Sequence, residues 1–600
     1  MARSVAMRRV LLLLWVDLVG SCFVSLPGAR DESPFSAEEE EKLFQHFLRN
    51  LNINGTGAVI ASPGDVPALV VCCNNRAPQP YYFHWTRDAA LSLSSLVSLG
   101  RNDSLPIMES FVARLRRQHA RTVASGPLGV SAAEEAFLEP KWTLSGAPYE
   151  GGWCRPQTDG PGLRALTLLR AVPALPSLSK DLWELASLDL DWLAANPNMD
   201  TCDLWEETLD RDFLWNRAVK RHGYLNPTVN PKVTHAALVE GHAMALQQAD
   251  VKRAERFAAA AKALPPTANH IGEAEGGTFL TNCPAENPGP ACQRYDKALD
   301  GAIILSLVHA QAKKDTGAQL RGSTGKLPSP SSALAARSAS QLAALFCRIY
   351  PVNRKDTEEG VPGVLFSRYE ADRYGANNEG NPWILITAAL ANLLYKASAE
   401  ASEKAMTEEA AAAWATFLGQ PGPASPADLV AGGDAVLLRI RHHVGNDLRL
   451  HEQIDRHTGL QYNAKDLTWS YAEVLEALQS RRVALAARFT SLEDFDVVRR
   501  FVKLLDLLYD RRVRLIVAAS GDVDDLFRGV RQEVGEGDMS DLAWRTAMYS
   551  SDGKAGLSPQ AVGTVCEAIR ATERAESRLR EMRTRSLGTE LAFSGFLGVL

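Results

Sequence analysis

Helical periodicity recurs along most of this chain, and it constrains the fold more than any other feature. Beyond an acidic start at Glu38-Glu39-Glu40-Glu41, the apolar residues Leu43, Phe44, Phe47 and Leu48 fall three and four apart, as on one face of a helix. Segments of the same character follow at Ala89–Leu99, Pro161–Val172, Leu182–Ala194, Ala236–Asp250, Leu299–Lys313, Ser331–Tyr350, Trp383–Ala397 and Leu467–Gln479. Strict apolar–polar alternation is scarce, so strands are expected to be minor. Loops rich in Gly, Pro and aromatic residues separate the helices. About a dozen helices over roughly 450 residues, with the chemistry in the loops between them, predict an all-α architecture closed into a ring. No sequence repeat of fixed period accompanies it.

Composition enters at two points. The net charge of −6 over 600 residues is small and gives no electrostatic argument for nucleic acid or an anionic membrane surface, neither of which is expected as a partner. Near residue 480 the character changes. From Arg481 the chain is rich in Arg, Asp and Glu on helical patterns such as Leu492–Tyr509 and Ala561–Met582, and Trp544 is its only tryptophan. Residues 481–600 are therefore expected to form a charged helical appendage of unassigned role, lacking the exposed aromatics that a sugar-binding module needs. A possible linker lies at Thr324–Ser332.

At the N-terminus, Arg3, Arg8 and Arg9 precede the apolar run Val10–Val16, and small residues surround Pro27-Gly28-Ala29. That layout predicts a signal peptide over residues 1–29, although Asp17 interrupts the apolar run. The implied route is secretory, ending outside the cell or in an acidic vacuole-like or lysosome-like compartment, with no membrane association after cleavage. Of nine cysteines, Cys22 falls in this leader. Cys283 and Cys292 bracket a turn-rich loop that a disulfide could close, whereas adjacent Cys72 and Cys73 are poorly placed to pair. No cysteine pair has the spacing of a zinc site, so no metal is expected. Asn54-Gly-Thr56 and Asn102-Asp-Ser104 are acceptor sequons for N-glycosylation.

Five islands carry the chemistry. They are Tyr81-Tyr-Phe-His-Trp85-Thr-Arg87-Asp88; Gly151-Gly-Trp153-Cys-Arg155-Pro-Gln-Thr-Asp159-Gly-Pro161; Asp203-Leu-Trp205-Glu206-Glu207; Arg368-Tyr-Glu-Ala-Asp372-Arg-Tyr374, running on to Gly380-Asn-Pro-Trp383; and Glu452-Gln-Ile-Asp455, followed by Asp466-Leu-Thr-Trp469-Ser-Tyr471. Singly, each reads as a surface ion pair or an acidic helix start. Together they place two separated carboxylates among tryptophans, which is what cleavage of a glycosidic bond requires. One carboxyl protonates the leaving oxygen while the other activates water or attacks the sugar, and aromatic rings hold the sugar's apolar faces.

These motifs resemble those of the glucoamylases, the inverting glycoside hydrolases of family 15, and specifically their fungal branch. The likeness spans about residues 55–480 in the family's order. It implies an (α/α)6 barrel, with six inner and six outer helices, over residues 30–480. It further implies Glu206 as general acid and Glu452 as general base, with Tyr81 beside the anomeric centre. Arg87, Asp88 and Arg368 would bind the hydroxyls of the terminal glucose; Glu207, Asp372 and Trp153 would bind or stack on the next sugar. Trp85, Trp205, Trp383 and Trp469 would shape the pocket, with Arg155 and Asp203 also in the site. Asp203 and Glu207 flank Glu206, and like charges favour the protonated form from which an acid acts. The implied activity is that of a glucan 1,4-α-glucosidase: exo-acting, inverting hydrolysis of α-1,4 and, more slowly, α-1,6 bonds at non-reducing ends of starch, glycogen or maltooligosaccharides, without cofactor, by a monomer.

Some features depart from the fungal pattern. The chain is longer between Glu207 and Ala237, through Trp215–Val233, and again at Ala68–Pro78. Asn463 stands where the family often has a small hydroxyl residue supporting the base. Two alternatives stay open at this point: an α-glucosidase for another linkage such as trehalose or dextran, and a non-catalytic glucan-binding or regulatory protein on the same barrel.

Overall fold

The computed structural model describes residues 22–23, 32–64, 81–122, 126–196, 199–207, 209–210, 214, 232–264, 271–272, 277–279, 299–312, 327–375 and 378–490. By their contacts the described residues up to 398 and from 406 to 481 belong to one unit, and 399–405 with 482–490 belong to a second. The expected Cys283–Cys292 bridge, the Ala68–Pro78 insertion, most of the Trp215–Val233 insertion and the appendage beyond residue 490 lie outside the described residues.

The first unit opens with α1 (Ala37–Leu48), fixed at its start by a reciprocal capping box between Ser36 and Glu39. There follow α2 (Thr86–Ser98), α3 (Ser104–His119), α4 (Ala132–Leu138), α5 (Asp159–Ala171) and α6 (Ser179–Ala195). Next come α7 (Lys232–Gln247), α8 (Val251–Ala263), α9 (Ala302–His309), α10 (Ala333–Ile349) and α11 (Pro351–Glu358). The series ends with α12 (Ile384–Glu403), α13 (Glu408–Leu418), α14 (Pro426–His443) and α15 (Thr468–Thr490).

Two kinds of helix emerge. α2, α5, α9 and the first halves of α7, α12 and α15 are buried on almost every face, as a helix must be when it is enclosed by others. In contrast, α3 buries Met108, Phe111, Val112 and Leu115 along one stripe, with Ser104, Arg114 and Gln118 beside it, and leaves its other positions partly or fully exposed. α6 and α8 behave likewise. Enclosed and outer helices pack against each other: α5 lies against α2, α6 and α7, and α7 lies against α8. Buried ion pairs fix the pairing. Arg164 of α5 holds Asp189 of α6 at 2.8 Å, and Asp434 of α14 accepts from Tyr395 of α12 and Arg481 of α15, both at 2.7 Å. Removing one partner of such a pair leaves an uncompensated buried charge, at a cost of about 3–5 kcal/mol.

Strands are minor, as expected: four two-residue antiparallel ladders occur among the described residues. β1 (His84–Trp85) pairs with β2 (Lys141–Trp142), and β3 (Thr201–Cys202) with β4 (Leu209–Asp210). β5 (Ile271–Gly272) pairs with β6 (Thr278–Phe279), and β7 (Gln453–Ile454) with β8 (Gln461–Tyr462).

Two residues that the sequence places in the leader, Cys22 and Phe23, are among those described. Cys22, assigned to the leader by sequence, is buried and disulfide-bonded to Cys347 of α10. Its carbonyl accepts the Thr357 hydroxyl at 2.9 Å, and the Phe23 ring lies 4.9 Å from that of Phe417. A cut at residue 29 would remove two residues that are built into the folded unit. A leader pattern reads hydropathy and carries no information about a thiol partner far away in sequence.

Candidate active site

The five islands all precede enclosed helices. Tyr81–Asp88 runs into α2 and Trp153–Asp159 into α5; Asp203–Glu207 lies before α7, Arg368–Trp383 before α12, and Glu452–Asp466 before α15. Asp88 and Asp159 stand in the first turns of α2 and α5, where carboxylates meet the positive helix end. The N-cap residues of these two helices, Trp85 and Thr158, supply no side-chain cap.

Glu206 sits at the centre of one group. Its own turn is tight: φ is +63°, its amide donates to the Asp203 carbonyl at 3.0 Å, and the Glu207 amide donates to Asp203 Oδ1 at 2.7 Å. A left-handed non-glycine residue costs about 1–3 kcal/mol and persists where its surroundings fix it. Three donors converge on the carboxyl: Trp153 Nε1 at 2.7 Å, Gln157 Nε2 at 2.9 Å and Arg87 Nη2 at 3.1 Å. The flanking acids turn elsewhere. Asp203 serves the backbone, and Glu207 pairs with Arg368 at 2.9 Å. The charge bonded to Glu206 is that of Arg87.

Arg87 is buried against Glu206, Asp159 and Asp88. Burial opposes its charge, and the three carboxylates outweigh that and raise its pKa. Burial pushes the Asp88 carboxyl up to about 6 in spite of Arg87. Arg87 Nε and Asp88 Oδ2 lie 3.5 Å apart, and neither makes a hydrogen bond.

Glu452 anchors a second group. It is 2 % exposed and takes hydrogen bonds from the Tyr81 hydroxyl at 2.8 Å and from the Asn463 amide. Burial raises its pKa to about 7, while Tyr81, Arg368 and Asn463 pull the other way. Asn463 holds a left-handed conformation, φ +64°, which asparagine tolerates better than most residues. Tyr374 touches the Tyr81 hydroxyl, and burial followed by Glu452's charge raises the Tyr81 pKa well above its ordinary value.

Arg368 knots the far wall. It binds Asp372 through two nitrogens and Glu207 through a third, beneath the rings of Trp205, Tyr369, Tyr374 and Trp383 at 4.9–5.5 Å. Of the tryptophans, Trp205 donates to Asp300 at 2.9 Å and Trp469 to Glu473 at 3.1 Å. Trp85, Trp383 and Trp469 are at most 7 % exposed, so they form walls rather than open platforms. Arg155, expected in the sugar site, directs its guanidinium to Glu139 at 2.7 Å and to the carbonyls of Tyr149 and Gly151, so it builds the loop.

Sequence reasoning left Gln157, Tyr374, Asp300 and Lys141 out of the site. Gln157 and Tyr374 stand inside quoted motifs and could have been included. Lys141 had no local signal: the β1–β2 register brings it opposite Trp85, and its Nζ lies 3.6–4.9 Å from the ring centres of Trp153, Tyr149, Trp85 and Phe83. Burial lowers its pKa to about 7. Away from the site, Asp356, His442 and His443 could by spacing hold a metal. The same Asp356 oxygen already accepts from Arg439 at 2.9 Å and His443 at 2.7 Å, and a cation there would meet the guanidinium charge.

The sequence model of the glycosyl hydrolases family 15 matches residues 45–479. The chain belongs to that family. It is 28 % identical to glucoamylase P of Amorphotheca resinae over 76 % of this chain and 70 % of that one. It is 25 % identical to a glucoamylase of Blastobotrys adeninivorans over 74 % and 71 %. Among solved structures, the glucoamylase of Hormoconis resinae superposes with a TM-score of 0.56 at 25 % identity, covering 74 % of this chain and 73 % of that one. The enclosed and outer helices are accordingly the two rings of an (α/α)6 barrel, with the five islands at one end of the inner ring.

Proposed function

We propose that this chain hydrolyses α-1,4-glucosidic bonds, and more slowly α-1,6 bonds, from the non-reducing ends of starch, glycogen or maltooligosaccharides, releasing β-D-glucose by inversion. The observation that carries the reading is the pair of carboxyl groups with separate supports: Glu206 among Trp153, Gln157 and Arg87, and Glu452 between Tyr81 and Asn463. Glu206 donates its proton to the glycosidic oxygen. Glu452 takes a proton from the attacking water on the opposite face of the sugar. Inversion needs the two carboxyls about 6.5–9.5 Å apart, so that water fits between base and sugar.

Tyr81, hydrogen-bonded to the base, presents its oxygen to the positive charge that develops at the anomeric carbon. Arg87 and Asp88, whose Nε and Oδ2 have no hydrogen-bond partner, take hydroxyls of the terminal glucose. The Arg368–Asp372–Glu207 knot, faced by Trp205 and Trp383, holds the sugars in register. A terminal site enclosed by aromatic walls favours removal of single glucose units. The enzyme acts as a monomer in the secretory route or an acidic compartment. Two disulfides and exposed Asn54 and Asn102 sequons support that location. No described helix is long and apolar enough to cross a membrane.

The test is proton NMR of the protein with maltotriose, read before mutarotation, with Glu206→Gln in parallel. β-Glucose appearing first, and lost in the variant, is the expected result. α-Glucose first would overturn the two roles, and no glucose from a folded sample would overturn the substrate.

A further inference from the structure

The Cys154–Cys202 disulfide joins the two pieces of chain that meet at Glu206. Cys154 follows Trp153, whose indole donates to Glu206 Oε2. Three residues on is Gln157, which donates to Glu206 Oε1 and also, at 3.1 Å, to the Cys154 carbonyl. Cys202 is fully buried and immediately precedes Asp203, whose carbonyl and carboxylate fix the left-handed turn at Glu206. One side of the bond therefore carries two donors to the carboxyl, and the other carries the carboxyl itself.

The backbone joins the same two segments beside the sulfurs. The Cys202 amide donates to the Pro156 carbonyl at 2.8 Å, and the Thr158 amide donates to the Thr201 hydroxyl at 3.0 Å. Those bonds set the spacing of the two segments, and Arg155 and the Gln157 backbone amide anchor the first of them to Glu139 and the Leu138 carbonyl. The cross-link adds a covalent tie between the two segments, one residue after Trp153 and one before Asp203. Neither loop has regular structure of its own on this side: β3 pairs only with the two-residue β4, and residues 152–157 form no helix or strand. A carboxyl held by three donors of fixed length tolerates little displacement between the two segments, since a hydrogen bond weakens steeply once bent or stretched.

We propose that the Cys154–Cys202 disulfide is a positioning element for the general acid. It holds Glu206 against Trp153 and Gln157, so that proton delivery to the leaving oxygen depends on it. The inference rests on the acid role assigned above to Glu206. A disulfide that only staples the fold would lower stability and leave proton delivery intact; one that positions the acid affects chemistry in proportion to how far the leaving group needs protonation.

That difference supplies the test. Maltose expels a poor leaving group and requires the acid, whereas α-D-glucosyl fluoride expels fluoride with little help. Cys154→Ser/Cys202→Ser and Cys154→Ala/Cys202→Ala double variants are compared with the parent on both substrates, well below their melting temperatures, with Glu206→Gln alongside. The expected result is a fall in kcat for maltose of about 10- to 100-fold, the scale of general-acid catalysis, with KM little changed and glucosyl fluoride affected less than about threefold. Equal losses on both substrates, or no loss on either, overturn the proposal. Glu206→Gln separates the two levels: if it too fails to spare glucosyl fluoride, the acid assignment itself is wrong.

Should neither double variant fold, the parent is treated with a water-soluble phosphine. The phosphine becomes its oxide, with oxygen from water, and the disulfide becomes two thiols. The same substrate split is expected after that reduction, and equal losses again overturn the proposal. Non-reducing peptide mapping of the parent is independent of any variant. Cys154 and Cys202 recovered as free thiols would end the proposal.

Discussion

Glu452 must be ionised to deprotonate water, yet burial raises its pKa to about 7. Activity on maltose should therefore fall as pH drops below about 7, by roughly tenfold per pH unit in kcat/KM once the carboxyl is mostly protonated. Asn463→Ala removes a donor that favours the charged form and should move this limb upward; a limb that stays in place would show that Asn463 does not support the base. Stability runs the other way. The folded pKa lies above the ordinary 4.5, so Glu452 binds more protons folded than unfolded between those values. Its contribution to stability is complete below about pH 4.5 and is lost as pH rises through about 7. Glu452→Gln should then be more stable than the parent at pH 8, by up to roughly 3 kcal/mol, with little difference at pH 4.5. Urea denaturation at the two pH values measures this, and equal differences at both would contradict the burial argument.

Among the elements, the loop before α12 shows how a single backbone position supports the site. Gly380 has φ +66°, and a Cβ there would lie 2.5 Å from the Asp372 carbonyl oxygen and 2.9 Å from the Asp372 Cβ. Asp372 is the main partner of Arg368. Gly380→Ala should destabilise the chain by about 2 kcal/mol or more and lower kcat/KM on maltose, because the Arg368 knot must shift with Asp372. Thermal melts and steady-state kinetics test both halves, and unchanged kinetics would detach the loop from substrate binding. The same loop shows what was legible in the sequence. Arg368, Asp372 and Trp383 lie in one short motif, and the segments that form α2, α5 and α12 were legible as helices from their periodicity. Lys141 and Asp300 did not stand out as site residues, since their partners are brought to them by the β1–β2 register and by a helix start. α14 was also passed over: Asp434, Arg439 and the pair Gly432-Gly433 interrupt its apolar pattern, although all four are buried by ion pairing and close packing.

At the scale of the whole molecule, two cross-links of the same chemistry have different neighbours, and that difference should be measurable. Cys22–Cys347 ties the N-terminal segment to α10, with Phe23 on Phe417 of α13 and Thr357 of α11 on the Cys22 carbonyl. None of these residues touches Glu206, Glu452 or the Arg368 knot through any contact described above. The bond spans 325 residues of chain, and in the chain-entropy view closing so long a loop stabilises a fold by up to about 5 kcal/mol. Cys347→Ser should therefore lower the melting temperature while leaving kcat, KM and the ratio of maltose to glucosyl fluoride activity unchanged well below the melt. It differs in this from the variants at Cys154 and Cys202. The same tie bears on processing: if the chain is exported and trimmed, the cut must fall before Cys22 for this bond to form. The intact mass of the exported protein, reduced and non-reduced, should place the mature N-terminus upstream of residue 22. A mature chain starting near residue 30 would leave Cys347 without this partner and would refute the packing of the N-terminal segment.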